Sequence, residues 1–179
     1  MAKNFYERYE PILFSKIARD VGKNREVIEI GCGDCRLCNH LAQKNGCTTV
    51  GLDINDVDFS KARVESRRLR ISHLVECIKA DAEQLSRVLN KRFDFCLSLY
   101  VLHELRNPIK VLREVRAVLK KEGKIVFVDF PEGSLAERLW GEEYYGVKEM
   151  KTLFKEAGFE KIGHRLLAHK QLVYLTALQ

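Results

Sequence analysis

Residues 26–42 read EVIEIGCGDCRLCNHLA. A β-rich run, EVIEI, breaks into Gly31-Cys32-Gly33, and a helical period follows over residues 35–44. A glycine turn between strand and helix lets the backbone approach a ligand, because glycine has no Cβ to block it and tolerates positive φ. Such a turn suits a nucleotide-like ligand. The dinucleotide fingerprint G-x-G-x-x-G would need a further glycine where Arg36 stands, so a pyrophosphate-binding turn is disfavoured. About twenty residues on, Asp53 ends the next strand in VGLDIN, where a carboxylate can accept two hydrogen bonds from ribose hydroxyls. That acid suits NAD and any other adenosine ligand equally.

Outward from this stretch, β-rich runs alternate with helical periods. An amphipathic helix is predicted over 4–21, then EVIEI, the helix over 35–44, TTVGLD, a helix over 59–71, HLVECIKA, a short turn over 83–89, FDFCLSLYV, a helix over 108–120, and GKIVFVDF. Alternation of this kind makes a parallel sheet covered by helices on both faces. The end departs from it. A helix over 147–157 stops at Gly158, and EKIGHRLLAHK and QLVYLTAL follow with only a tight connection between them. Too few residues separate them for a helical crossover, so they must pair antiparallel. The expected fold is α/β and Rossmann-like: seven strands, six parallel and the last (171–178) antiparallel, with helices on both faces. The three prolines fall at apparent element ends, and no linker or repeat divides the chain. One domain over 1–179 is expected, its N-terminal helical segment, 1–24, covering the site.

The 179 residues are 46% hydrophobic and 31% charged, a globular rather than disordered balance. No apolar run approaches the roughly 20 residues needed to span a bilayer, and charge interrupts the apolar positions of the N-terminus, unlike a signal peptide. A cytoplasmic, soluble protein with no membrane partner is the expectation. The net charge of +6 permits a polyanionic partner without requiring one. Mixed Lys, Arg and Glu with only two methionines is a composition that hyperthermophile proteins favour. Six cysteines without a secretory signal point to reduced thiols, not a disulfide framework.

EIGCGDC, VGLDIN, KADAEQL, FDFCLSLYVLHEL and VLREVRAVLKKEGKIVFVDF come in an order and spacing that resemble the successive motifs of class I S-adenosylmethionine-dependent methyltransferases. The resemblance runs from about Tyr9 onward, and its nearest detail is the small-molecule branch with the quinone-biosynthesis and arsenite methyltransferases. It implies S-adenosylmethionine as cofactor and transfer of its methyl group to a small acceptor. By the same resemblance Glu29, Gly31 and Gly33 match the first motif, whose backbone approaches the methionine part of the cofactor. Asp53 matches the ribose-binding acid and Ile54 the apolar residue against adenine. Asp81 and Ala82 match the acid and amide that read the adenine edge, and Leu99 and Tyr100 match the strand end beside the amino acid moiety. The family's loop usually carries a third glycine, and Cys35 stands in its place, a departure that bears on affinity.

Two residues after the fourth strand, His103 and Glu104, stand at the carboxyl edge where open α/β sheets bind ligands. They read either as a capped helix start or as groups facing the acceptor; His103 suits proton removal near neutrality. Tyr6, Tyr9, Trp140, Tyr144 and Tyr145 read either as core or as the cover of a substrate pocket. Cys32, Cys35 and Cys38 spell C-x-x-C-x-x-C, but the fourth ferredoxin position is Ala42 and His40 does not share a helix face with them, so no metal is expected. Buried thiols packing helix against sheet is the preferred reading, with Cys47, Cys77 and Cys96 alike. Arg63, Arg67, Arg68 and Arg70 read as a solvated helix face. SLYV replaces the Asp/Asn-Pro-Pro-aromatic tetrad of amino-methylating base modifiers, which disfavours nucleic acid. Three alternatives stay open: a non-catalytic cofactor-binding partner subunit, a nucleic acid or protein substrate, and an NAD enzyme. Sequence also leaves a homodimer open.

Overall fold

The strands β1 (Glu26–Ile30), β2 (Thr48–Asp53), β3 (Val75–Lys79), β4 (Phe93–Leu99), β5 (Leu119–Asp129), β6 (Glu160–Leu167) and β7 (Leu172–Leu178) form one sheet, ordered β3-β2-β1-β4-β5-β7-β6. This is a computed structural model that describes residues 3–179, with side chains from Tyr6 onward. The pairs within β3-β2-β1-β4-β5 are parallel, while β7 runs antiparallel to both β5 and β6. The expected six-plus-one arrangement is therefore the observed one.

Period-two alternation sorts the sheet's side chains into two cores. Ile28, Ile30, Cys96, Ile125, Phe127, Val173 and Leu175 face one side; Val27, Phe95, Leu97, Val126, Val128, Leu172 and Tyr174 face the other. Helices α1 (Lys3–Val21), α2 (Arg36–Asn45) and α6 (Leu135–Trp140) close the second core, and α4 (Leu85–Val88), α5 (Pro108–Val118) and α7 (Val147–Glu156) the first. Helix α3 (Phe59–Arg68) lies beside α2 over a small cysteine-rich cluster. Local chemistry sets the helix ends. Pro108 opens α5, and Asn107 Oδ1 accepts from the Lys110 amide at 3.1 Å, so Val111, Leu112, Val115 and Val118 turn inward together. Gly46 closes α2 at φ 65° with its N–H on the Ala42 carbonyl.

Three local expectations need correction, and one helix was not expected. Pro11 lies inside α1 rather than at an element end; its missing N–H forgoes one helical bond, which buried Leu13, Phe14 and Ile17 outweigh. Helix α3 ends at Arg68, short of 71, since Arg70 turns left-handed at φ 58°. Helix α5 ends at Val118, because Leu119 already pairs with Phe93 and the chain then bulges through Glu122 at φ 65°. Helix α6 was not legible: six residues are under two turns, too few to show a period. Among the described residues no helix is long and apolar enough to cross a membrane.

Candidate functional site

The carboxyl ends of β1, β2, β3 and β4 open on a cavity of about 460 Å³. Gly31 leaves β1 at φ 67°, and a Cβ there would lie 2.3 Å from a Val101 methyl carbon. Gly33, at φ 49°, faces open space, so backbone alone forms that wall. Asp53, at the end of β2, ties the loop to the sheet: its Oδ2 accepts from the Gly33 N–H at 2.9 Å and its Oδ1 from the Asn55 N–H at 3.0 Å. Asp81 Oδ1 likewise accepts from the Glu83 N–H at 2.8 Å, which presents Ala82 to the cavity. Ile54, Leu99 and Tyr100 line it as well. The structure thus brings together Gly31, Gly33, Asp53, Ile54, Asp81, Ala82, Leu99 and Tyr100.

Glu29 stands apart from them. It points away from the cavity into a fully buried place beneath the loop, where its Oε2 accepts from Cys38 Sγ at 3.1 Å. Burial pushes its pKa up to about 8 against the pull of that thiol. The carboxyl thus leans toward its protonated form and packs beneath the loop.

The thiols share this underside. Cys35 takes the left-handed conformation, φ 55°, that the family's third glycine would adopt freely, and its side chain is fully buried. Its Sγ lies 3.4 Å from Cys32 Sγ and 2.9 Å from Cys77 Sγ, and the Cys32 and Cys35 thiols pack over Gly51. Sharing hydrogen bonds with Cys35, together with burial, raises Cys32, Cys38 and Cys77 above the ordinary thiol value, so these three stay protonated. The departure from glycine at residue 35 thus falls on the side away from the cavity.

A second cavity of about 360 Å³ adjoins the first and shares Tyr100 and Glu104 with it. Tyr100 sits at φ 62° directly after β4, with its N–H on the Val128 carbonyl at 2.7 Å. A non-glycine residue there is strained by about 1–2 kcal/mol. The strain sets the Tyr100 ring flat against Phe130, centroids 4.8 Å apart and 9° from parallel. Phe130 in turn meets Tyr6, Trp140 and Tyr144 at 4.9, 5.3 and 5.3 Å. Helix α1 supplies Tyr6, Glu7 and Glu10 to this wall. Tyr9 packs against the same core without lining the cavity, and Tyr145 packs against the opposite core.

His103 and Glu104 both reach the second cavity, in a 3-10 turn over Leu102–Glu104. Asp129, at the end of β5, anchors the histidine: its carboxylate accepts from the His103 backbone N–H at 3.2 Å and meets ring Nδ1 at 2.9 and 3.1 Å. Its Oδ1 also accepts from the Phe130 N–H at 2.8 Å. This leaves Nε2 facing the cavity, 3.5 Å from Glu142 Oε2, which accepts from the Tyr144 hydroxyl at 2.6 Å. Burial opposes charge on His103, but the Asp129 hydrogen bond and charge outweigh it, so its pKa is raised. Burial also raises Glu104. Sequence reasoning missed Asp129 and Glu142. Asp129 had a signal, an acid closing an apolar strand at the ligand-binding edge; Glu142, in a loop without period, had none.

Residues 28–127 match the family described as a methyltransferase domain. A sarcosine/dimethylglycine N-methyltransferase of Halorhodospira halochloris is 25% identical over 169 residues, 87% of this chain and 60% of that protein. A thiol S-methyltransferase of Rattus norvegicus is 32% identical over 136 residues, 72% of this chain and 53% of that one. The chain thus spans little more than half the length of these relatives. A crystal structure of an S-adenosylmethionine-dependent methyltransferase from Aquifex aeolicus superimposes with a TM-score of 0.77 at 19% identity, over 92% of this chain and 88% of that one.

Proposed function

Because the chain belongs to the class I S-adenosylmethionine-dependent methyltransferases, we propose that it moves the methyl group of that cofactor to a small molecule seated in the second cavity. The observation that carries this reading is the pair of adjoining cavities that share the Tyr100 and Glu104 wall. The residues of the larger one suit the cofactor. The glycine backbone makes room for its methionine part, Asp53 offers acceptors for two ribose hydroxyls, and Ile54, Asp81 and Ala82 offer an apolar and polar rim for adenine. When bound, the cofactor supplies a methyl group already activated by a sulfonium.

The protein has little covalent chemistry left to do. The Tyr100 wall and the Phe130 cluster hold the acceptor in line, and positioning of this sort can supply several kcal/mol. Neutral His103, its Nδ1–H held by Asp129, takes the acceptor's proton at Nε2. The acidic lining of the second cavity, Glu7, Glu10, Glu104 and Glu142, opposes a polyanion, which disfavours the nucleic-acid alternative. The similar proteins include both an N- and an S-methyltransferase, so likeness alone leaves the acceptor atom open.

Calorimetric titration with S-adenosylhomocysteine, followed by transfer of a labelled methyl group to a panel of small acceptors, tests the proposal. Binding with turnover supports it. Binding without turnover on any small acceptor leaves a partner subunit or a macromolecular substrate in its place, and binding of NADH alone overturns it.

A further inference from the structure

The second cavity has a chemical character of its own. Its described lining includes five aromatic rings, Tyr6, Tyr100, Phe130, Trp140 and Tyr144, and no lysine or arginine, in a chain whose net charge is +6. Four carboxylates border the rings. Arg36 pairs with Glu10 at 3.0 Å and His103 Nε2 lies 3.5 Å from Glu142, which leaves Glu7 and Glu104, joined by Glu142 when His103 is neutral, to set the local potential. Resting on the methyl-transfer reading, we propose that the acceptor is a small amine, bound as its ammonium cation between these rings and carboxylates, and that its nitrogen is the atom methylated.

Aromatic faces attract a cation through their quadrupole, and several faces around one site add their attraction. Phe130 holds the Tyr6, Tyr100, Trp140 and Tyr144 rings within 5.3 Å centroid to centroid, which fixes the walls before anything binds. Neutral aromatic acceptors would also stack here. They would, however, cover Glu104 without returning a counter-charge, and a carboxylate taken out of water and left unpaired is unfavourable. Burial already raises Glu104, the direction that a cation beside it would reverse. An acceptor that presents a carboxylate or phosphate to this wall meets like charge.

The step balances on the groups present. The ammonium proton passes to His103 Nε2, and the freed nitrogen lone pair forms the new N–C bond. As the C–S bond breaks, its electron pair returns to sulfur, which becomes a neutral thioether, while the methylated nitrogen takes on the positive charge.

Choline and 3,3-dimethylbutan-1-ol have nearly the same shape and differ in charge, and neither carries an amine nitrogen open to methylation, so the pair reads binding alone. Each is titrated calorimetrically into the protein saturated with S-adenosylhomocysteine, and the emission of Trp140, the chain's one tryptophan, reports where it binds. The expected result is choline binding at least about tenfold tighter than its carbon isostere, with a change in Trp140 emission. Glu142→Gln should cut that preference severalfold and leave S-adenosylhomocysteine affinity unchanged. Equal binding of the two, including none by either, overturns the proposal, as does a phenol or thiol methylated faster than every amine in the panel. Failure of S-adenosylhomocysteine to bind is a separate result: it overturns the methyl-transfer reading, while the choline comparison still decides on the cation site.

Discussion

Replacing Asp53 with alanine tests the larger cavity most sharply. A carboxylate has about four lone-pair sites, and two are used here, by the Gly33 and Asn55 N–H groups at 2.9 and 3.0 Å. Two remain for ribose hydroxyls, so the cofactor need not displace the loop. Hydrogen bonds to a charged acceptor are worth roughly 1.5–3 kcal/mol, which makes Asp53→Ala weaken S-adenosylhomocysteine binding by about ten- to a hundredfold. The loop also loses two anchors. Their donors, Gly33 and Asn55, are exposed and turn to water, so the fold should lose on the order of 1 kcal/mol, a fall of about 2–4 °C in Tm for a chain of this size. Asp56→Ala is the control, since its pairing with Lys79 at 3.0 Å is exposed and screened by solvent. Calorimetry gives the affinities and thermal unfolding the midpoints. Equal affinities in the two variants, or collapse of Asp53→Ala, would show that Asp53 is a structural acid and not a ligand.

Gly31→Ala should destabilise by about 2–4 kcal/mol, since it adds left-handed strain to a 2.3 Å clash with Val101, and Val101→Ala in the same chain should recover part of the lost Tm. Cys35→Gly should keep S-adenosylhomocysteine affinity within about threefold of the parent, because the thiol faces the sheet; a tenfold gain would mean that the side chain obstructs the loop. With the pKa of His103 raised above 6.5, the turnover rate should climb as pH rises through that raised value, and Asp129→Asn should move the limb toward lower pH in the pH–rate profile. Stability has the opposite sign. The charged His103–Asp129 pair contributes fully below the unfolded histidine pKa and is lost as pH rises through the folded one, so denaturant melts should show a larger deficit for Asp129→Asn at pH 6 than at pH 9.

How much of this was legible beforehand follows from range. Strand alternation and the Gly31 turn are local, so the strands, their directions and the larger cavity's wall could be read from neighbours in sequence, whereas the order in which the strands pair could not. Asp53 could be placed, but not its bonds to Gly33 and Asn55, which depend on how the loop closes. Glu29 shows the limit in the other direction: motif position put it with the cofactor residues, whereas the pleat turns its side chain underneath the loop. The second cavity is assembled from α1, the turn after β4, the end of β5 and the segment around α6, over 130 residues apart in the chain, and no single-sequence period links Tyr6 to Trp140.

The last of the seven strands in chain order is an interior one. β7 is hydrogen-bonded along both sides, to β5 and to β6, and Val173 lies opposite Asp129 in that register. While the chain is being synthesised, β6 therefore emerges with no neighbour to join, and β5 keeps a bare row of N–H and C=O groups, a template for another chain. That exposure ends only when Leu172–Leu178 slides between them. The border of the strand that carries Asp129 is thus finished last, so translation that stalls within the final strand would yield a chain with its cofactor loop built and its acceptor pocket unsupported.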